Sequence, residues 1–318
     1  MQTASVTPSP VGRLAADELE TPPLTLGQLA WRRFRRHKMA LFGTVIIVLL
    51  FIYSFGGALI FTEAYSNHTE TGLRLNGPSA SHPFGTDTVG RDLLARTIYG
   101  GQISLLIGLT AVLIETIVGV LIGALAGYYG GLLDNILMRI TEAMLNIPEI
   151  FLLIVMAKYF GNRIPNVTML GRTYSGSVVV IVVIIGLTSW MYLARIVRAE
   201  FLSIKENEFI LAARATGTSN SQIIFRHILP NSIAPIVVSA TLGVANAILA
   251  EAYISFLGLG VQPPTATWGN MLDGANSYLE TAPWMWFFPG LLILLTVLSI
   301  NFLGDGLRDA LDPRSRAV

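Results

Sequence analysis

Six apolar runs divide the chain, at residues 39–61, 103–127, 139–160, 178–198, 232–257 and 284–304. Each is near or above the roughly 20 residues that a helix needs to cross a hydrocarbon core, so the pattern predicts six transmembrane helices. The third run is interrupted by Glu142, Pro148, Glu149 and Lys158, yet apolar residues continue from Ile147 to Met156. A membrane helix tolerates proline where its neighbours cover the freed backbone groups, and one span is expected there. Between the fourth and fifth runs the pattern changes. From Glu208, the apolar positions Phe209, Ala212, Ala213 and the methyl of Thr216 recur at helical intervals. Gly217 follows, where a helix commonly ends in a left-handed residue. Ser219 and Gln222 stand three apart as a capping box. Ile223, Ile224, His227 and Ile228 share a face of the second helix, which Pro230 closes as the next span begins. Residues 205–230 are therefore expected to form a hairpin of two short amphipathic helices.

The ends differ from both patterns. Residues 1–23, with Pro8, Pro10, Pro22, Pro23, Asp17, Glu18 and Glu20, lack the apolar core of a signal peptide and read as a disordered tail. Residues 24–38 set Leu26, Leu29, Ala30 and Phe34 near one helical face and four arginines elsewhere, the pattern of a helix lying in the membrane interface. Residues 39–318 follow as one transmembrane unit. In the second run, Gly119, Gly123 and Gly127 recur every four residues and read as a seam for close helix packing.

Composition agrees with the membrane reading. The chain is 53% hydrophobic and 13% charged, against roughly a quarter charged in soluble domains. A net charge of +1 argues against nucleic-acid binding. The absence of cysteine excludes disulfides, thiolate metal sites and a cysteine nucleophile. With the N-terminus placed inside, the inner segments hold fifteen lysines and arginines and the outer segments six. The positive-inside rule then puts both termini, and the hairpin, on the cytoplasmic side.

Ionisable residues inside the spans are the default candidates for function, because they are costly in hydrocarbon unless they face protein or water. They are Glu115, Glu142, Glu149 and Glu251. Glu115, Glu149 and Glu251, with Asn246, are candidate pathway residues; a buried hydrogen bond to a partner subunit is the other reading. His68 and His82, fourteen residues apart, read as solvated loop histidines, and His227 as a packing residue, since no ligand set surrounds them and no metal site is expected. Asp87, Arg91 and Asp92 are expected to hold the first external loop together. Asp305 has no partner aspartate for protease chemistry. No G-x-x-x-x-G-K-[ST] loop occurs, so ATP hydrolysis by that route is not expected of this chain.

The stretch "LAARATGTSNSQIIFRHILPN" resembles the EAA loop of ABC importer permeases, with Ala212, Ala213, Gly217, Leu229 and Pro230 matching and Leu211 at the family's glutamate position. Glu208 lies three residues before it. "HPFGTDTVGRDLLARTIYGGQISL", "EAYISFLGLGVQPPTATWGNML" and "NFLGDGLRDALDPR" are similar to segments of the peptide/nickel branch, in its C-type dipeptide and oligopeptide permeases. The resemblance implies an all-α membrane protein of type I ABC importer permease architecture, with six transmembrane helices. It implies that Glu208, Ala212, Ala213, Arg214, Gly217, Arg226, Leu229 and Pro230 belong to a coupling helix docked on an ATPase. It also implies a second homologous permease, two ATP-binding subunits, an external substrate-binding protein and a bacterial or archaeal cell membrane. This chain would bind no cofactor itself, with ATP and Mg used by the partner ATPases. Cargo in the branch includes peptides, nickel chelates and oligosaccharides. Against this stand two other readings. A hairpin lying on headgroups, with Arg214 and Arg226 facing lipid phosphate, has the same amphipathicity. An ion-driven secondary transporter would show internal repeats and paired broken helices, and the sequence displays neither a repeat nor a second broken helix.

Overall fold

The computed structural model describes residues 25–161, 163–169 and 172–312, so the expected tail at 1–23 lies outside the described residues. Helix α1 (Leu26–Phe34) begins at a capping box in which Thr25 and Gln28 exchange hydrogen bonds. It ends short of the expected residue 38, in a turn after which His37 Nδ1 accepts from Ala40 N and caps α2 (Lys38–Phe51). A π-helical turn at Ile52–Gly56 and a 3-10 turn at Gly57–Leu59 extend that span. Apart from short 3-10 turns at Thr71–Leu73, Asn270–Leu272 and Ala275–Tyr278, the next elements are α3 (Glu63–Asn67), α4 (Leu93–Tyr129), α5 (Gly131–Leu145), α6 (Glu149–Phe160), β1 (Val167–Met169), β2 (Arg172–Tyr174), α7 (Gly176–Thr188) and α8 (Met191–Lys205). They continue with α9 (Glu208–Ala215), α10 (Asn220–Gln222), a π-helical turn at Ile223–Ile228, α11 (Leu229–Asn231), α12 (Ile233–Phe256) and α13 (Trp284–Leu311). The strands β1 and β2 form an antiparallel ribbon, Val167 opposite Tyr174, in an otherwise helical chain.

Four helices are individually long and apolar enough to span: Lys38–Leu59, Leu93–Tyr129, Ile233–Phe256 and Trp284–Leu311. Two expected spans are broken. The third is not one helix but α5 and α6, bent by 86° where Asn146, Ile147 and Pro148 interrupt it. Proline disfavours the helical conformation of the residue before it and lacks the N–H that would continue the ladder, so the new helix starts only after Pro148. The fourth is also broken, α7 and α8 meeting at 41° around Ser189 and Trp190. This corrects the expectation of a single interrupted helix. The two breaks fall in consecutive spans, not at corresponding positions of two repeats.

Helix α4 is the mast of the bundle and packs along α8, α12 and α7, while α13 packs against α2 and α12. Its 37 residues make it about 55 Å long at 1.5 Å per residue, longer than the hydrocarbon core, so it projects past it. The glycines of its seam fit against α8: a Cβ on Gly119 would lie 3.0 Å from Leu193 Cβ, and one on Gly127 2.7 Å from Phe201 Cβ. Leu109, Leu113, Ile117 and Leu121 form an exposed apolar stripe elsewhere on the same helix. An outward apolar stripe is stable against lipid or another membrane subunit, and in water it would be a liability.

The end of the bundle where α2 begins and α4 finishes carries α1 and the hairpin. Phe34 packs on Ala40 and Ala310, and Arg33 Nη1 donates to the Asp312 carbonyl at 2.9 Å, fastening α1 to the last helix. The opposite end carries the loop before α4. There Asp87 accepts from Val89 N, Arg91 N and Arg91 Nε, the last at 2.6 Å. Asp92 caps α4 through Ala95 N, and its other oxygen meets His82 Nδ1 at 2.7 Å. His82 is thus a bracing residue and not the solvated one expected.

Candidate functional site

Two features carry polar chemistry: the hairpin at one end, and a groove between the broken spans. In the hairpin, α9 closes with a Schellman motif. Thr218 N donates to Ala213 O and Gly217 N to Arg214 O, both at 3.0 Å, with Gly217 at φ 82°. Ser219 and Gln222 then form a capping box that starts α10. Pro230 does not close the helix as expected. The turn before it is wound wider, as a π-helix, and the chain runs on to Asn231. Proline removes one backbone donor and crowds the carbonyl four residues earlier, which the wider turn relieves. Asn231 Nδ2 and Ser232 Oγ donate to the carbonyls of His227 and Ile228, at 2.6 and 3.1 Å.

The buried side chains of the hairpin are Ile210, Ile223 and Ile228, which pack on Phe201, Ile204 and Val197 of α8. Ile210, not Phe209, is therefore the inward position of α9. Phe209, Leu211, Ala212, Arg214 and Gly217 are exposed, as are Glu208, Arg226 and Pro230, while Ala213 and Leu229 are half-buried. The periodicity is compatible with either face because the eight residues of α9 span only about two turns. The exposed surface is open at Gly217, where a Cβ would meet nothing within 4 Å.

Tyr128, the penultimate residue of α4, locks both arms. Its hydroxyl donates to Asn220 Oδ1 at 2.7 Å, and the Arg214 guanidinium lies 5.7 Å from its ring centroid. Lys205 Nζ donates to the Gly127 and Tyr128 carbonyls, which end α4 without intrahelical partners. A bidentate pair, Arg198 Nε to Asp134 Oδ1 at 2.5 Å and Nη2 to Asp134 Oδ2 at 2.6 Å, ties α8 to α5. The hairpin is thus rigidly joined to α4, α8 and, through α8, to α5. Tyr128 belongs to no motif in the sequence, where its only signal is an aromatic residue at a span end.

The groove, about 660 Å³, runs between α4, the two breaks and α12. Glu115, Glu149 and Asn246 line it together with Ser189, Ser239 and Tyr253. Glu149 is the first residue of α6, and its Oε1 accepts from Ser189 Oγ at 3.3 Å. Glu115 reaches the groove from α4 over Gly243, where a Cβ would come within 3.2 Å of its Oε2. Glu251 does not line it. This residue is 1% exposed and accepts from Ser255 Oγ at 2.7 Å and Ser104 Oγ at 3.4 Å. Those serines in turn accept from Val261 N and Trp268 N, so Glu251 anchors the loop after α12 to α4. Glu142 pairs with Arg139 on the surface. Among the described residues no cluster of three or more metal-ligating side chains occurs.

Comparison with known proteins places this geometry. Residues 119–317 match the family described as binding-protein-dependent transport system inner membrane component, and residues 25–78 match the N-terminal transmembrane domain of oligopeptide transport permease C. The chain is 41% identical over 304 residues to the oligopeptide transport system permease protein OppC of Escherichia coli, with 95% of both chains covered. It is 41% identical over 288 residues to the dipeptide transport system permease protein DppC of Alkalihalophilus pseudofirmus, covering 91% of this chain and 90% of that one. A solved inward-facing structure of the MetNI methionine ABC transporter aligns with a TM-score of 0.53 at 20% identity, over 67% of this chain and 94% of the other. At that identity the likeness speaks for the fold alone. The chain belongs to the binding-protein-dependent transport system inner membrane component family, as an integral membrane permease of type I ABC importer fold.

Proposed function

We propose that this chain forms half of the translocation pathway of an ATP-driven importer of di- or oligopeptides, and that the hairpin is its handle for an ATPase subunit. The observation that carries the reading is the hairpin's two-sidedness. Its isoleucines are fixed in the bundle, while Ala212, Gly217 and their neighbours form an exposed surface joined to α4 and α8 through Tyr128 and the buried isoleucines. Charge distribution supports a cytoplasmic position for that surface and for both termini. Two ATPases closing on ATP and Mg would push the handles. The bundle would then turn at the breaks between α5 and α6 and between α7 and α8, and the groove would face alternately in and out. A second permease would supply the facing wall, and an external binding protein would deliver the cargo. Peptide cargo is supported by the dipeptide and oligopeptide permeases that match nine-tenths of the chain; nickel chelates and oligosaccharides are the alternatives.

The test is Gly217→Trp in the full complex. The variant is expected to insert normally and to lose substrate-stimulated ATP hydrolysis. Unchanged stimulation would refute the docking role, and gradient-driven uptake by the chain alone would refute the ATP-driven reading.

A further inference from the structure

Glu115 is 8% exposed, and what remains accessible faces the groove. Among the described residues it has no hydrogen-bond donor, unlike Glu251, which has two serines, and Glu149, which has one. A carboxylate can only accept, and the oxygens of this one are not sealed off from the groove, so a ligand there that donates can reach them. Glu149 adds a second acidic group across the same groove, and no lysine, arginine or histidine lines it. Two carboxylates with no base between them favour a cationic donor over a neutral one.

Gly243 is the supporting detail. The carboxylate of Glu115 lies over it, with both oxygens near the position a Cβ would take, at 3.2 and 3.4 Å. A Cβ there would press on the carboxylate and on Val112 Cγ2, which would have to give by a few tenths of an ångström. The bare backbone of α12 lets Glu115 lie against it, and Asn246 stands one turn further along the same groove.

We propose that Glu115, with Glu149 and Asn246 beside it, forms an ammonium-binding site in the groove, which holds a positively charged amine of the substrate during its passage. The inference rests on the groove being part of the translocation pathway. It specifies the substrate as one carrying an ammonium group, either the α-amino group of a peptide or a lysine side chain. The α-carboxylate of the cargo finds no counter-charge in this chain's groove, so the amine end is the end this subunit recognises.

The experiment uses the nucleotide-free full complex without its binding protein and measures equilibrium binding of three probes. They are trialanine, propionyl-dialanine, which lacks the amine, and propionyl-lysyl-alanine, which keeps only a side-chain ammonium. Trialanine is expected to bind at least about tenfold tighter than propionyl-dialanine, the scale of one charge-assisted hydrogen bond. Glu115→Gln should erase that difference and leave propionyl-dialanine unchanged, and Glu115→Asp should restore part of it. Tight binding of propionyl-lysyl-alanine would add the side-chain amine as a source; weak binding would assign the site to the α-amine. Equal binding of trialanine and propionyl-dialanine by the wild-type complex, or a preference that survives Glu115→Gln, would overturn the proposal. Asn246→Trp, which fills the groove, separates the two readings. Unimpaired uptake by that variant removes the groove from the pathway, whatever the amine preference.

Discussion

Ser189 Oγ donates to Glu149 Oε1 across 3.3 Å, joining the break of one bent span to the break of the next. The bond lies where both bent spans are interrupted. Ser189→Ala is expected to cost about 1 kcal/mol or less in stability, since the pair is partly exposed and long. Uptake should nevertheless fall severalfold, because the relative angle of the two breaks loses its tie. A thermal-unfolding scan beside an uptake assay separates the two effects; unaltered uptake would leave the tie without a role.

The glycine seam makes an opposite pair of predictions. On Gly123 a Cβ would come within 2.8 Å of Val197 Cβ and closer still to the Ala194 carbonyl. Gly123→Leu should destabilise the bundle by about 1–3 kcal/mol, the usual cost of overpacking, or prevent its assembly. Gly290 in α13 has nothing within 4 Å of its Cβ position. Gly290→Ala should be neutral or stabilise by about 0.5–1 kcal/mol, through helix propensity. Detergent thermal stability of the two variants checks both.

At Gly217 the backbone and the surface can be told apart. Its φ of 82° disfavours any side chain by about 1–2 kcal/mol, with asparagine the mildest substitute. Gly217→Asn should therefore leave the hairpin folded, and Gly217→Val should loosen it. Hydrogen exchange over residues 208–231 reads the difference. A loss of ATPase stimulation in the asparagine variant with unchanged exchange would locate the defect at the docking surface.

Tyr128→Phe removes the hydroxyl that meets Asn220 and keeps the ring beside Arg214. The expected cost is about 1 kcal/mol, confined to the hairpin. Exchange at the start of α10 should quicken, and the coupling of hydrolysis to uptake should drop while the maximal hydrolysis rate holds. Equal loss of both would mean that Tyr128 serves folding alone.

Some of this architecture was legible in the chain. The apolar runs placed the bundle's spans because a hydrocarbon core imposes one length on every crossing helix. The hairpin's turn was legible because Gly217, Ser219 and Gln222 act through bonds only three to five residues long. Pro148 marks an interruption, yet the 86° bend is not legible there, since a sequence does not say whether neighbours cover the freed backbone. The break at Ser189 had no local signal at all. Which face of α9 turns inward, Ile210 or Phe209, was settled by the fit of Ile210 on α8, because two turns carry too little periodicity to choose.

The sequence by itself determined that the chain is a membrane helical bundle with a capped amphipathic hairpin, because span length, capping and charge bias are local properties. Only the tertiary structure decided which carboxylates share a groove. Glu115 and Glu149 lie on separate spans and line one groove, while Glu251 is enclosed by Ser104 and Ser255. Those outcomes depend on how broken helices cross α4 and α12, a relationship between residues far apart in the chain that no local pattern records.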